Sequence, residues 1–434
     1  MEGWWLTLSL VALSTLLAFW YFKLSGGKKQ PLPPGPWRLP IIIIGNLHHV
    51  VSALPHRTMT ELCRRHGPVM YLQLGEIPTV VVSSAEALGQ MMKANDAGFA
   101  NRRTTGMQDI IGFGGKGIIF APYGDHWRQM RKVCVAELLS SKQVKRMESV
   151  RAEEMGSLLR SITASAGDTI NVSQKVAALS NDVVARAVFG GKVSQQEDFI
   201  HASNQIMDLL GGFFLVDLFP SSRLVRWLSN EERRIKGCCD VIQGIITDVI
   251  VERKALRAAS DGADGEGLLD VLLTLQEEDS LESPLTTEMI TTVLFDMFGA
   301  ATDTTSTTLE WTMSELVNHP EVMAKAQLED PQYWNNPQVF NPERFENNNM
   351  DYNGTCFEFT PFGCGRRRCP GITFASSILE IALANFLYHF DWMLPDGANS
   401  TLVDMSENFG LTVRRSSDLQ LRAISHMCSK AMQI

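Results

Sequence analysis

The chain has 434 residues, of which 45% are hydrophobic and 20% charged, and its net charge is −9 at neutral pH. This composition is that of an ordinary globular protein and excludes a disordered or fibrous chain. The acidic balance argues against a general nucleic-acid-binding protein, which needs a basic face for phosphate contacts. The eight cysteines are scattered, without the dense framework of small secreted domains, so a reducing compartment is indicated.

An uncharged, mostly apolar run occupies residues 4–22, and as a helix it is long enough to cross a hydrocarbon core of roughly 30 Å. Lys23, Lys28 and Lys29 follow this run, so the positive-inside rule places the rest of the chain in the cytosol. A cleaved signal peptide is the alternative, but no clear small-residue cleavage pattern follows the run. We therefore predict a membrane anchor and the start of a hinge over residues 1–30.

The next segments predict a hinge and a hairpin. Residues 31–36 read PLPPGP, in which the fixed proline φ angles favour a short extended spacer. Strand-like segments at residues 69–74 and 79–83 flank the turn-forming residues 75–78 and predict a β-hairpin. Helical periodicity dominates after this point, so the fold class is mainly α with a small β-sheet.

A long helix is predicted from about residue 286 to residue 318, because Pro320 would break the hydrogen-bond ladder. Its middle, residues 299–308, contains small and β-branched side chains where a helix favours longer ones. These residues lower the intrinsic helix propensity of the segment. Their presence suggests that something approaches the helix closely there or displaces its backbone hydrogen bonds.

A loop rich in glycine and arginine precedes the last predicted helix. Residues 361–371 read PFGCGRRRCPG and lead into an apolar helical stretch at residues 372–388. Cys369 lies at the helix entrance, where backbone N–H groups and nearby cations favour the thiolate, the form that binds metal. A buried structural cysteine is one alternative. A zinc site is another, although the cysteine spacings are unlike paired CxxC clusters and no histidine lies close in sequence.

This loop resembles a known family. Phe362, Gly365, Arg367, Cys369 and Gly371 match the cytochrome P450 pattern FxxGxRxCxG at every position. The resemblance implies a haem cofactor, iron protoporphyrin IX, with Cys369 as its axial thiolate and metal ligand. It also implies that Phe362 packs beside the thiolate and that Arg367 contacts a haem propionate. Gly365 and Gly371 would permit a tight loop and close approach to the porphyrin.

Two residues on a predicted helix over about residues 125–139 extend the resemblance. Trp127 and Arg131 are four residues apart and so share a helix face. They resemble the family's WxxxR motif, in which the indole N–H and the guanidinium can hold a buried propionate. Taken alone, such a pair is more often a core tryptophan beside a surface arginine.

The middle of the long helix also resembles a family motif. Residues 300–304 read AATDT, which is similar to the oxygen-binding motif, with alanine at position 301 in place of the usual glycine. By resemblance, Asp303 and Thr304 are catalytic and supply the protons that cleavage of the O–O bond requires. The alternative for Thr304 is a helix threonine bonded to a preceding carbonyl.

The resemblance covers nearly the whole chain but lacks one segment. PERF at residues 342–345 and SENFGLTVRR at residues 406–415 belong to it, in the form typical of plant microsomal enzymes of specialised metabolism. The family's Glu-x-x-Arg helix and several strands, expected before PERF, are missing. This implies a P450-like domain over residues 31–434, incomplete through an internal deletion at 329/330.

The deletion has a predicted physical cost. In the family, the missing pair forms a buried salt-bridge network with the PERF arginine, here Arg344, and that network supports the cysteine loop. Losing partners of a buried network costs several kcal/mol, comparable with the stability of a domain. The hairpin would also lose strand partners and keep an aggregation-prone edge.

The predicted function is insertion of one oxygen atom from O₂ into a small apolar substrate, at the cytosolic face of the endoplasmic reticulum membrane. Substrate would be bounded by residues 104–120, 294–302 and 409–411. Electrons would come from an NADPH-dependent flavoprotein reductase, which is acidic and would suit a basic patch. The candidate patch residues, for which an ordinary solvated surface is the alternative, are Arg128, Lys132, Arg366 and Arg368.

Two other functions follow from the missing segment. The chain would be a catalytically inactive truncated variant, which the sequence favours over a working enzyme of unusual architecture. Otherwise it would be a non-enzymatic, membrane-bound interaction protein that pairs with intact family members or with the reductase.

Overall fold

A computed structural model of the protein describes residues 32–37 and 44–426, with gaps at 53, 104–105, 192, 194, 212, 260–266, 280, 328–351 and 396–401, together with Ser14. The helices in this part of the chain are α1 Leu47–Val50, α2 Pro55–His66, α3 Ala85–Phe99, α4 Gly106–Ile111, α5 Asp125–Val133, the π-helix Cys134–Leu138, α6 Ser141–Arg146, α7 Glu148–Ala164, α8 Val172–Phe189, α9 Gln196–Leu210, α10 Leu215–Leu218, α11 Arg223–Leu228, α12 Glu231–Ala259, α13 Leu268–Glu278, α14 Thr287–Asn318, α15 Pro320–Gln327 and α16 Ile372–His389. The strands are β1 Val69–Leu74, β2 Ile77–Val82, β3 Thr169–Asn171, β4 Phe390–Met393, β5 Glu407–Asn408, β6 Arg414–Arg415 and β7 Gln420–Ser425.

The predicted hairpin is confirmed. Strands β1 and β2 pair antiparallel, and their register runs from Val69 opposite Val82 to Leu74 opposite Ile77. The second strand begins two residues earlier than predicted, because the turn needs only Gly75 and one neighbour. Gly75 has a φ of +60°, a conformation that glycine adopts without strain.

The remaining strands form two small antiparallel sheets. Strand β7 lies between β3 and β4, and β5 pairs with β6. These sheets bring residues near the C-terminus against the start of α8 and the end of α16. The described fold is therefore mainly helical with small sheets, as predicted.

The long helix α14 lies at the centre of the fold and packs most extensively along α8. It begins after Thr286, whose hydroxyl accepts the Met289 N–H, and it ends before Pro320, as predicted. Its buried Phe298 stacks edge-on against Phe199 of α9, with 4.7 Å between the ring centroids. This packing fixes the helix on which both predicted catalytic residues lie.

The small residues in the middle of α14 do not interrupt it, since helical geometry continues through them. The hydroxyls of Thr302, Thr304 and Ser306 donate to carbonyls four residues earlier. At Gly299 a Cβ atom would lie 2.7 Å from the Met207 terminal methyl of α9. The expected close approach is therefore present at Gly299, whereas the expected displacement of backbone hydrogen bonds is not.

Several predicted features lie outside the described residues. These are the anchor over residues 1–30 (except Ser14), the 329/330 junction and PERF at residues 342–345. Among the described helices, α16 is long and apolar enough to cross a membrane. Its side chains at positions 374, 378, 382 and 386 are buried in the hydrophobic core, so one face of the helix packs against the rest of the fold.

Candidate active site

The cysteine loop is shaped by its own backbone. The Cys369 N–H donates to the Phe362 carbonyl over 3.0 Å, and the Arg368 N–H donates to the Gly365 carbonyl over 3.2 Å. Gly365 has a φ of +69°, and a Cβ atom there would lie 2.7 Å from an Asp96 carboxylate oxygen. Glycine is therefore required at this position by both conformation and space.

Gly371 serves the loop in a different way. Its φ is −91°, which any residue can adopt, and an added Cβ would only touch the Cys369 sulfur at 3.8 Å. Its N–H donates to the Cys369 Sγ over 3.3 Å. In the described loop, Gly371 therefore contributes its backbone amide as a hydrogen-bond donor to the sulfur. The close approach of Gly371 to a porphyrin stays a prediction.

The environment of the Cys369 thiol contains opposing influences. Burial raises its pKa, whereas the Gly371 N–H and the charges of Arg131 and Arg368 lower it. Burial has the larger effect, so the pKa lies above its ordinary value. The amide and the cations lower the pKa, as predicted from the sequence, but burial outweighs them.

Trp127 and Arg131 share a face of α5, as predicted. The Trp127 ring is buried, and its indole N–H donates to the Ile118 carbonyl over 3.1 Å. The Arg131 guanidinium lies 6.0 Å from the Trp127 ring centroid and donates to the Arg368 carbonyl of the cysteine loop. The helix that carries the WxxxR sequence is thereby joined to the loop that carries Cys369.

Arg367 lies between these two elements. Its guanidinium donates to backbone carbonyls of Ala100 (2.7 Å), Ile118 (3.2 Å), Ile119 (3.4 Å) and Ala121 (2.5 Å). Burial, with the nearby charges of Arg102 and Arg131, lowers its pKa to about 10. Within the described part of the chain, no carboxylate forms an ion pair with Arg131 or Arg367. Among the described residues, these two guanidiniums are therefore cations beside the cysteine loop that no carboxylate neutralises.

Asp303 and Thr304 lie apart from the cysteine loop. The Asp303 carboxylate accepts hydrogen bonds from Thr412 Oγ1, over 2.6 Å, and from the guanidinium of Arg414. It borders a cavity of about 240 Å³ whose lining does not include Thr304 or Cys369. The Thr304 hydroxyl donates to the Ala300 carbonyl over 2.6 Å, so Thr304 is, in this structure, a helix threonine bonded to a preceding carbonyl. No contact between the described residues brings either side chain to Cys369.

The predicted basic patch is partly assembled. Arg128 of α5 and Arg366 of the cysteine loop lie against the same Tyr123 ring, at 5.5 and 5.7 Å from its centroid. Each is also paired with an acid, Arg128 with Asp125 and Arg366 with Asp96. The two arginines are about half exposed, so they present charge to solvent beside the cysteine loop.

A buried acid that the motifs did not reveal lies near these groups. Asp296 of α14 is 4% exposed and accepts the N–H groups of Ile118 and Ile119 over 2.7 and 3.2 Å. Burial raises its pKa to about 6. The available signal was a single charged residue within the apolar run at residues 293–298.

The mainly helical fold and the cysteine at a helix entrance agree with a haem-thiolate protein. Comparisons with known proteins identify the family. The sequence pattern described as cytochrome P450 matches residues 33–329 and 326–419. Desmethyl-deoxy-podophyllotoxin synthase of Sinopodophyllum hexandrum is 38% identical, with 95% of this chain and 96% of that protein aligned. A melianol synthase of Ailanthus altissima is 36% identical, with 96% and 95% aligned.

The chain therefore belongs to the cytochrome P450 family, with relatives among plant enzymes of specialised metabolism. A zebra fish cytochrome P450 solved with progesterone has the same fold, with a TM-score of 0.71 and 21% identity over 85% of this chain and 99% of that one. By family the chain is a monooxygenase, whose cofactor is haem and whose electrons come from a reductase. The alignment with the podophyllotoxin enzyme has 488 positions against 434 residues here, so at least 54 of its positions have no counterpart in this chain.

The donor set fits haem. A half-buried cysteine at the beginning of α16 offers one sulfur ligand, held by the Gly371 amide. Arg131 and Arg367, which form no ion pair among the described residues, offer positive charge for two propionates. Trp127 could donate to the same carboxylates by exchanging its bond to the Ile118 carbonyl.

Proposed function

We propose that the chain is a haem-thiolate monooxygenase that inserts one oxygen atom from O₂ into a small apolar substrate, with Cys369 as the iron ligand. The single observation that supports this most strongly is the placement of Cys369. Its sulfur accepts the Gly371 N–H at the beginning of α16 and lies close enough to Arg131 for each charge to affect the pKa of the other. This is the arrangement that presents a thiolate to a metal cation.

The surrounding residues have distinct proposed roles. Arg367, Arg131 and Trp127 bind the propionates, Phe362 packs beside the sulfur, and the flexible backbone of Gly365 shapes the loop. Bound haem supplies the oxygen chemistry, whereas the protein orients it and excludes water. The Gly371 amide holds the sulfur and acts against burial, which has the larger effect and raises the pKa of Cys369.

Asp303 and Thr304 are proposed to deliver protons. Thr304 would hold a proton at its hydroxyl after leaving the Ala300 carbonyl, and Asp303 would replace that proton. Asp303 is tied to Arg414, so it must loosen that ion pair to exchange a proton with solvent. The cavity that Asp303 borders, which is lined mostly by polar side chains, would give solvent a route to it.

The substrate and the electron donor are proposed to reach opposite sides of this site. Substrate would lie between residues 104–120, the face of α14 at residues 294–302 and the turn at residues 409–411. An NADPH-dependent reductase would dock on the patch that includes Arg128 and Arg366 on either side of Tyr123.

The chain is proposed to be anchored in the endoplasmic reticulum membrane by residues 1–30, with the remainder on the cytosolic face. Helix α11 supports contact with a membrane. Its Trp227, Leu224 and Leu228 are 80%, 63% and 67% exposed, and Arg223 and Arg226 accompany them. Exposed apolar side chains beside arginines suit the boundary between lipid tails and headgroups.

A second function is favoured by a specific observation. The two matched segments of the family meet at residues 326–329, and at least 54 positions of a relative are skipped. Loss of the Glu-x-x-Arg segment would remove support from the cysteine loop. The chain would then be a membrane-bound, catalytically inactive variant that acts, if at all, through the reductase or through intact family members.

A carbon monoxide difference spectrum separates the two functions. Full-length protein in microsomes, reduced and treated with carbon monoxide, is expected to show the red-shifted Soret band of thiolate ligation. Cys369→Ala should abolish the band, and Cys364→Ser, a matched change in the same loop, should preserve it. Absence of the band in the unmodified chain would reject the monooxygenase and favour the inactive variant.

A further inference from the structure

Asp296 connects the long helix to a loop next to the cysteine site. Its carboxylate oxygen Oδ2 accepts the N–H of Ile118 over 2.7 Å and the N–H of Ile119 over 3.2 Å. No basic side chain in the described part of the chain pairs with it. A charged group in an otherwise apolar helix segment is unfavourable, so these two amides are the interactions that hold it there.

The same two residues also act as acceptors, through their carbonyl groups. The Ile118 carbonyl accepts the Trp127 indole N–H over 3.1 Å and an Arg367 N–H over 3.2 Å. The Ile119 carbonyl lies 3.4 Å from the same Arg367 nitrogen. The amides of Ile118 and Ile119 therefore bind Asp296. The carbonyls of the same two residues bind Arg367, and that of Ile118 also binds Trp127.

Gly117 allows the carboxylate to come this close. A Cβ atom at position 117 would lie 2.1 Å from Asp296 Oδ2 and 2.8 Å from the Thr292 side-chain methyl. Both neighbours belong to α14, which is packed in the core. Any larger residue at position 117 would have to move the loop away from the helix.

We propose that Asp296 is a positioning residue for the propionate-binding pair Trp127 and Arg367, acting through the backbone amides of Ile118 and Ile119. This inference rests on the proposed haem site but concerns a residue that does not touch the cofactor. The Ile119 N–H and the Ile118 carbonyl belong to one peptide group. The bond from that N–H to Asp296 polarises the group and so strengthens the Ile118 carbonyl as an acceptor.

Amide hydrogen exchange on the full-length protein in detergent, without haemin, tests the contact directly. Asp296→Ala is expected to speed exchange at Ile118 and Ile119 by about tenfold or more, since a buried charge-assisted hydrogen bond is lost. Asp296→Asn should retain most of the protection, because both bonds end on one oxygen, which an amide carbonyl can replace. Asp270→Ala removes another buried carboxylate, paired with Arg253, and should leave these two amides unchanged.

Haemin titration of the same proteins tests the link to the site. Asp296→Ala should weaken haemin binding about tenfold, Asp296→Asn should stay within about threefold of the unmodified chain, and Asp270→Ala should match the unmodified chain. The inference is overturned if Asp296→Ala keeps either its amide protection or its affinity for haemin, or if Asp270→Ala weakens binding equally. Should Asp296→Ala fail to fold, Gly117→Ala separates the same groups and is expected to give the same two changes, and normal values for it overturn the inference.

The two proposals fail in different ways. If the unmodified chain does not bind haemin, the proposed function fails. The exchange measurement still decides whether Asp296 holds the loop, because it is made without cofactor.

Discussion

The guanidinium of Arg367 is stacked over the ring of Trp127, with its central carbon 4.7 Å from the ring centroid. Both side chains also donate to one acceptor, the Ile118 carbonyl. The arginine comes from the cysteine loop and the tryptophan from α5, two segments far apart in the chain. The stacked pair therefore ties the proposed iron ligand to the body of the fold before any cofactor is present.

Arg367→Ala is expected to destabilise the protein without haem. The change would leave the backbone carbonyls that Arg367 now satisfies without that donor, at a cost of about 2–4 kcal/mol in the free energy of unfolding. Urea unfolding measures this. Trp127→Phe, which keeps a ring under the guanidinium but loses one hydrogen bond, should cost about 1 kcal/mol. Equal stability of Arg367→Ala and the unmodified chain would contradict the role of these carbonyl contacts.

The raised pKa of Cys369 predicts slow alkylation in the absence of haem. Iodoacetamide reacts with the thiolate, and burial shifts the pKa of Cys369 upward, so its pH profile should lie at higher pH than that of glutathione. Because the Arg131 charge lowers this pKa, Arg131→Met should move the profile further upward. Peptide mass spectrometry follows the reaction at Cys369. If alkylation of Cys369 instead rises at lower pH than that of glutathione, the Gly371 amide and the cations outweigh burial in their effect on the pKa.

Local patterns were sufficient to predict several elements. The hairpin follows from two apolar segments around Gly75, and α14 is bounded by the Thr286 cap and by Pro320. Spacing also placed Trp127 and Arg131 on one face of α5. In each case the determining interactions lie within a few residues along the chain. The family assignment came from the cysteine loop, whose residues are likewise contiguous.

Contacts between distant segments were not predictable from spacing. The bond from Arg414 to Asp303 and the bonds from the Ile118 and Ile119 amides to Asp296 join residues that are more than a hundred positions apart. The helix over residues 125–139 also changes to a π-helix at Cys134–Leu138, which apolar periodicity does not distinguish from an α-helix. The sequence marked Asp296 only as an isolated charge, and its amide partners required the fold.

Asp296 predicts a specific pH dependence of stability. Its pKa in the folded protein is raised from 3.8 to about 6, chiefly by burial. A raised pKa means that its contribution to stability is fully present below pH 3.8 and is lost as the pH rises through about 6. The free energy of unfolding of the unmodified chain should therefore fall by about 3 kcal/mol relative to Asp296→Asn over this range.

Paired urea titrations at a series of pH values measure this difference, and the comparison with Asp296→Asn cancels the other titrating groups. Cys134, the nearby thiol that Asp296 influences, has its pKa raised far above this range and stays neutral. A constant difference between the two proteins from pH 4 to pH 7 would contradict burial of an ionisable carboxylate.

The ion pair between Asp303 and Arg414 is expected to couple α14 to the C-terminal strands. The Asp303 carboxylate is 9% exposed and the Arg414 side chain 36%, so solvent screens the pair in part. A double-mutant cycle with Asp303→Asn and Arg414→Gln should give a coupling energy of about 1 kcal/mol, larger than that of an exposed pair because the carboxylate is buried.

Arg414 provides its own matched control, because it also approaches Asp208 at 3.5 Å, where the carboxylate is 71% exposed. A cycle with Asp208→Asn and Arg414→Gln should give less than about 0.5 kcal/mol, since an exposed pair gains little in water. Thermal or urea unfolding at low salt yields both coupling energies. Equal values for the two cycles would mean that Arg414 does not hold Asp303 specifically.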